Sequence, residues 1–101
     1  MDSEENGADA NFAVTGAQLR AARGLLNISV AELAERTGLS LNTCRKAEAT
    51  NGVAALTKAN AQLLSATLNA AGVIFIPADT LGAGVRLRDP DQEPSKRRRG
   101  G

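Results

Sequence analysis

The sequence predicts a mainly α domain of four, or at most five, short helices closed by a short C-terminal β-hairpin. Three observations predict it. Among 101 residues, 43% are apolar, but 19 of those are Ala, a strong helix former with little volume to bury. Ser or Thr stands repeatedly one residue ahead of an apolar stripe of helical period, as an N-cap does. Near the C-terminus, Val73–Ile76 and residues 84–88 are β-like runs joined by a Pro- and Gly-containing loop.

Each element follows in order. Thr15 and Gln18 have the spacing of a capping box, in which the two side chains satisfy orphan backbone donors reciprocally. Leu19, Ala22 and Leu26 then recur at helical spacing, which predicts a first helix over 16–26. Gly24 within it costs about 1 kcal/mol relative to Ala. Ser29 and Glu32 form a second capping-box pair, and Val30, Leu33, Ala34 and Thr37 make one buried stripe over 30–37. Gly38 is suited to the left-handed conformation that ends this helix.

Only Leu39 separates Gly38 from Ser40, a good N-cap for a third helix over about 41–49. Two helices joined by so short a Gly-containing turn are the helix-turn-helix signature. The 100° helical step places Leu41, Asn42, Arg45 and Lys46 within an arc of roughly 140°, with Cys44 and Ala47 opposite. After a Thr50-Asn51-Gly52 loop, Thr57 caps a fourth helix whose expected buried residues are Leu63, Leu64, Leu68 and Ala71, and Gly72 stops it. In the hairpin, alternation sends Val73 and Phe75 toward the helices and leaves Ile74 and Ile76 needing another cover.

Charge divides the chain into three parts. Residues 1–13 carry Asp2, Glu4, Glu5 and Asp9 without a Lys or Arg, and read as a disordered acidic arm. Residues 89–101 hold two prolines, three acids, then Lys96, Arg97, Arg98 and Arg99, and read as a disordered tail with a basic end. Between them, residues 14–88 carry eight basic side chains against four acidic ones, a net +4 hidden by the overall +1.

Composition also excludes functions. The chain has no His, which removes His-based triads and His metal ligands. A single Cys44 builds neither a zinc site nor an internal disulfide. Phe12 and Phe75 are the whole aromatic complement, too little for a base-stacking platform. The longest apolar run is far short of the roughly 18 residues of a membrane span, and the acidic N-terminus does not read as a secretion signal. A cytoplasmic binding module, not an enzyme, with no cofactor, no metal and no membrane partner, is the expectation.

The stretch LRAARGLLNISVAELAERTGLSLNTCRKAEATNG, with GVIFIP and GVRLR downstream, resembles the lambda-repressor-like, Cro/XRE-type helix-turn-helix proteins. The last two pieces resemble those of small bacterial members in which a β-hairpin follows the fourth helix. The resemblance covers about residues 15–88. It implies that Arg23, late in the first helix, pairs with Glu48, late in the reading helix, as a structural staple. Losing either partner from a buried pair costs about 3 kcal/mol. Family members often place Gln at the first position of the second helix, where this chain has Val30. Their third helix usually buries Ile, Val or Trp, where Cys44 and Ala47 are smaller.

A helix entering the major groove meets base edges with its outward, N-terminal side chains. Asn42 suits adenine, Arg45 suits guanine and Leu41 suits a thymine methyl, each good bidentate pair discriminating by about 1–3 kcal/mol. Ser40, Thr43 and Lys46 suit phosphates, as do the amides of Thr50, Asn51 and Gly52. The basic end over 96–99 either grips phosphates without specificity or merely solubilises the chain. Cys44, by its phase, is a core residue rather than a redox switch.

The leading expectation is therefore a sequence-specific regulator of transcription, a repressor that occupies a double-stranded operator. One such unit reads few base pairs, so two copies on an inverted repeat, joined through Ile74 and Ile76, are expected as a homodimer. The alternative is an interaction module of the same fold that inhibits another regulatory protein without touching DNA. Val30, Leu41 and the acidic arm favour that reading.

Overall fold

The computed structural model describes residues 13–96, and among these a hydroxyl cap sets the start of every α-helix. Residues 1–12 of the acidic arm over 1–13, and Arg97, Arg98 and Arg99 of the basic end, lie outside the described residues. Helix α1 (Gly16–Leu26) follows Thr15, α2 (Val30–Thr37) follows Ser29, α3 (Leu41–Glu48) follows Ser40 and α4 (Lys58–Ala70) follows Thr57. Each of these side chains accepts the amide three residues on, at 3.0–3.1 Å. Around Thr15 the capping box is complete, with Gln18 Oε1 accepting the Thr15 amide at 2.9 Å.

The box expected at Ser29 is half made. Its hydroxyl accepts the Glu32 amide, but the Glu32 carboxylate turns outward to Arg36 at 2.7 Å, a surface i,i+4 pair. The helix ends behave as their residues dictate. Asn27 and Gly38 take the left-handed conformation after α1 and α2, and Gly72 (φ 110°) turns the chain out of α4.

The core is one cluster. Leu19, Ala22 and Leu26 of α1 meet Leu33 and Ala34 of α2, Cys44 and Ala47 of α3, and Leu64 and Leu68 of α4, with Ile28 beneath the α1–α2 corner. Leu63 corrects the expectation for α4: it is 39% exposed, because the buried stripe runs through Leu64 and Leu68 and Leu63 falls 100° to its side. Strand β1 (Val73–Ile76) pairs antiparallel with β2 (Gly84–Leu87), matching Val73 with Leu87 and Phe75 with Val85. These four residues form the inward face: Val73 is fully buried and the other three pack partly against the core.

Two features close the fold. Gln18, 2% exposed, sends its amide nitrogen to the carbonyls of Ile76 and Gly84 at 3.2 and 3.0 Å, and so ties the hairpin to the first turn of α1. Beyond β2, residues 89–96 run back to α1, where Ser95 exchanges hydrogen bonds with Leu26 and Asn27. Among the described residues no helix is long and apolar enough to cross a membrane.

Candidate nucleic-acid interface

Helix α3 presents two contrasting sides. Cys44, Ala47 and Glu48 are buried, whereas Leu41, Asn42, Arg45 and Lys46 are exposed along the arc that the helical step predicts. Arg45, Lys46 and Asn42 make no side-chain hydrogen bond or ion pair to any described residue. Their donors are therefore open toward solvent from the described part of the fold. Leu41, at 36% exposed, lies beside them as an apolar contact.

The hydroxyls at the start of α3 are arranged in series. Ser40 accepts the Thr43 amide and donates its proton to Thr43 Oγ1 at 2.8 Å. Thr43 is thereby an acceptor toward Ser40 and keeps its own proton for an outside partner. The loop after α3 is similarly organised. Thr50 Oγ1 accepts the Gly52 amide at 3.0 Å, and the Gly52 carbonyl accepts the Gly16 amide at 2.9 Å. Gly52 thus stabilises the loop from within, and Thr50 and Asn51 carry its outward donors.

An ion pair sets the angle of α3. Arg23 grips Glu48 with Nε and Nη2, each 2.7 Å from a carboxylate oxygen, and donates Nη1 to the Ile28 carbonyl at 3.1 Å. The geometry is the bidentate fork of a strong charge-assisted pair. Hydrogen bonding to Glu48 raises the Arg23 pKa above its ordinary value, outweighing burial, which lowers it. With Arg23 21% and Glu48 8% exposed, one guanidinium joins α1, the α1–α2 corner and the last turn of α3. Cys44 sits behind, fully buried, and burial raises its thiol pKa although a hydrogen bond with Thr37 opposes the shift.

Arg20 is a positioning residue that the sequence reading missed. Its Nη1 donates to the Glu48 carbonyl at 2.6 Å and to the Thr50 carbonyl at 3.3 Å, and its Nη2 donates to Asn51 Oδ1. It caps the orphan carbonyls ending α3 and fixes the loop, turning the Asn51 amide nitrogen outward as the free half of that side chain. A signal was present: Arg20 precedes Arg23 by three residues and shares its helix face. Gly16 makes the approach possible, since a Cβ there would stand 2.0 Å from the Thr50 carbonyl oxygen.

Val30 opens α2 half-buried against the core, with no polar group to offer. Ile74 and Ile76 are half-buried on the hairpin face away from Val73 and Phe75, with Arg86 exposed opposite Ile74. Among the described residues no cluster of acidic or thiol side chains has the makings of a metal site. A family model described as Helix-turn-helix matches residues 19–71, just over half of the chain, and spans α3, its staple and the loop after it. No curated protein and no solved structure matches the chain.

Proposed function

This chain belongs to the lambda-repressor-like, Cro/C1-type helix-turn-helix family of DNA-binding regulators, and from that premise we propose that it is a repressor that seats α3 in the major groove of an operator. The observation that carries the reading is the exposed quartet Leu41, Asn42, Arg45 and Lys46 on a helix whose other side is buried and stapled. Rigid placement matters because base-edge hydrogen bonds discriminate only when donors are held in register.

In this reading Arg45 addresses guanine, Asn42 adenine and Leu41 a thymine methyl. Lys46, Thr43, Thr50 and Asn51 hold phosphates, with Ser40 and Gly52 orienting the groups beside them. Two copies bind an inverted repeat with their α3 helices one turn of DNA apart, about 34 Å, and Ile74 and Ile76 supply the contact between them. Bound there, the dimer blocks polymerase by occupancy.

Selection from a random duplex pool, followed by variants, tests this. Arg45→Ala relaxes base preference at its position by about 1–3 kcal/mol, while Lys46→Ala weakens all sequences alike and lowers the salt slope by about one. An unchanged preference in Arg45→Ala means that α3 is not the reading helix. No enriched sequence, with partner binding indifferent to salt, means an interaction module instead, to which Val30 and Leu41 are suited.

A further inference from the structure

Arg20, Arg23 and Arg36 are all held by described groups, but their partners differ in charge. Arg23 forks onto the Glu48 carboxylate, and Arg36 pairs with that of Glu32. Arg20 is held by three neutral oxygens: the Glu48 and Thr50 carbonyls through Nη1, and Asn51 Oδ1 through Nη2. Its charge is therefore fixed in place, on an exposed part of α1, with no carboxylate to cancel it.

A guanidinium carries five N–H donors. Arg20 spends three, which leaves Nε–H and one Nη2 proton without a partner among the described residues. Nε and Nη2 are the nitrogens with which Arg23 forks onto two carboxylate oxygens. Asn51 adds a donor beside them. Arginine accepts no hydrogen bond, so the carboxamide gives it the oxygen and faces Nδ2 away. Ordering a mobile arginine on an anion costs side-chain entropy, and here the fold has already ordered it.

The position suits a phosphate. Helix α3 has eight residues and is about 12 Å long, close to the roughly 12 Å width of a major groove. With its first turn at the base edges, its last turn stands at the rim, where the backbone runs. Arg20 is bonded to the carbonyl of Glu48, the last residue of that turn.

We propose that Arg20 is itself a phosphate ligand: its unspent Nε–H and Nη2–H, with Asn51 Nδ2 beside them, form a preorganised site for one DNA phosphodiester at the end of α3. This rests on the DNA-binding reading and adds to it a charged contact from α1. The site grips every sequence alike, since a phosphodiester carries no base identity.

The test measures binding of selected and random duplexes against salt for the parent, Arg20→Gln and Arg20→Lys. Arg20→Gln weakens both duplexes by the same factor, about tenfold in low salt, and makes the log–log salt slope shallower by about one. Arg20→Lys keeps the charge, and with it the parental slope. Parental affinity in Arg20→Gln, or reduced affinity at the parental slope, overturns the proposal, the latter by making Arg20 a purely structural brace. A second measurement needs no variant. In the parent, the Arg20 Nε–H resonance shifts and exchanges more slowly with water when the selected duplex is added. A single neutral methylphosphonate at one backbone linkage reverses both changes. A resonance indifferent to bound duplex overturns the proposal while leaving the regulator reading standing. A parent that enriches no duplex overturns both, and that parental result tells the two failures apart.

Discussion

Between residues 15 and 48, side chains meet as apolar surfaces around Leu19, Ala22, Leu33 and Cys44, with one ion pair across them. Between residues 72 and 96 the chain is tied down largely by carboxamides. Gln18 holds the Ile76 and Gly84 carbonyls, Asn69 holds Val73, Gln92 holds Ala71 and Asn27 holds Ser95. The difference follows from supply. Residues 72–96 contribute one fully buried apolar side chain to the core, Val73, with Phe75, Val85 and Leu87 partly buried against it, so directional hydrogen bonds replace area. Burial stabilises in proportion to surface and tolerates small shifts, whereas a carboxamide works only within hydrogen-bonding geometry. The first region is built for stability, and the second for placing particular backbone atoms.

Removing volume from the first region has the largest effect. Leu19→Ala empties a fully buried site and costs about 2–5 kcal/mol, read as a lower denaturant midpoint with every probe moving together. A hairpin signal lost well before the helical one would show that the two regions unfold separately. Glu48→Ala comes next, at about 2–3 kcal/mol, because it strands the partly buried Arg23 charge while leaving the Ile28 carbonyl bond. Because the Arg23 pKa is raised in the folded protein, the contribution of its proton is fully present below the ordinary arginine value and is lost as pH rises through the raised one. Removing the pair together, as Arg23→Met with Glu48→Leu, is expected to restore much of the loss; no recovery would put its origin elsewhere.

Gln18→Ala tests the second region. It leaves two hairpin carbonyls without their donor and breaks the capping box, for about 1–3 kcal/mol. Hydrogen exchange should quicken in β1 and β2 more than in α3, and uniform quickening would argue against a local tie. The smallest effect belongs to Cys44. Burial holds its thiol pKa above the ordinary value of 9.0, so the unfolded chain ionises first and stability declines as pH rises past about that value. Cys44→Ala removes that alkaline decline, and a decline that persists unchanged would assign it to other groups.

How much of this was legible in the sequence follows the same division. The helices were readable because Thr15, Ser29, Ser40 and Thr57 cap them through bonds three residues long, and because Gly38 and Gly72 end α2 and α4 locally. The exposed side of α3 follows from the helical step alone. Arg20 escaped because the groups it holds lie 28 to 31 residues away, and its one local signal, a place three residues before Arg23 on the same helix face, does not name them. The run back to α1 escaped for the same reason: Asn27 and Ser95 are 68 residues apart, and Pro, Asp and Glu around Ser95 read as coil. Leu63 was misjudged because neighbouring leucines leave the centre of an apolar stripe uncertain by one residue.

The span of these ties orders the assembly of the chain. The Arg23–Glu48 bond closes a loop of 25 residues, the Gln18 bonds close 58 and 66, and the Asn27–Ser95 bond closes 68. Closure entropy rises with loop length, and a chain leaving the ribosome presents its early residues first. Helix α3 is therefore expected to be stapled while the hairpin is still being synthesised. Residues 89–96 are expected to dock last, after the hairpin has closed on Gln18. A nascent chain would then hold α3 at its angle before residues 89–96 dock, so the two regions differ in order of arrival as well as in what holds them.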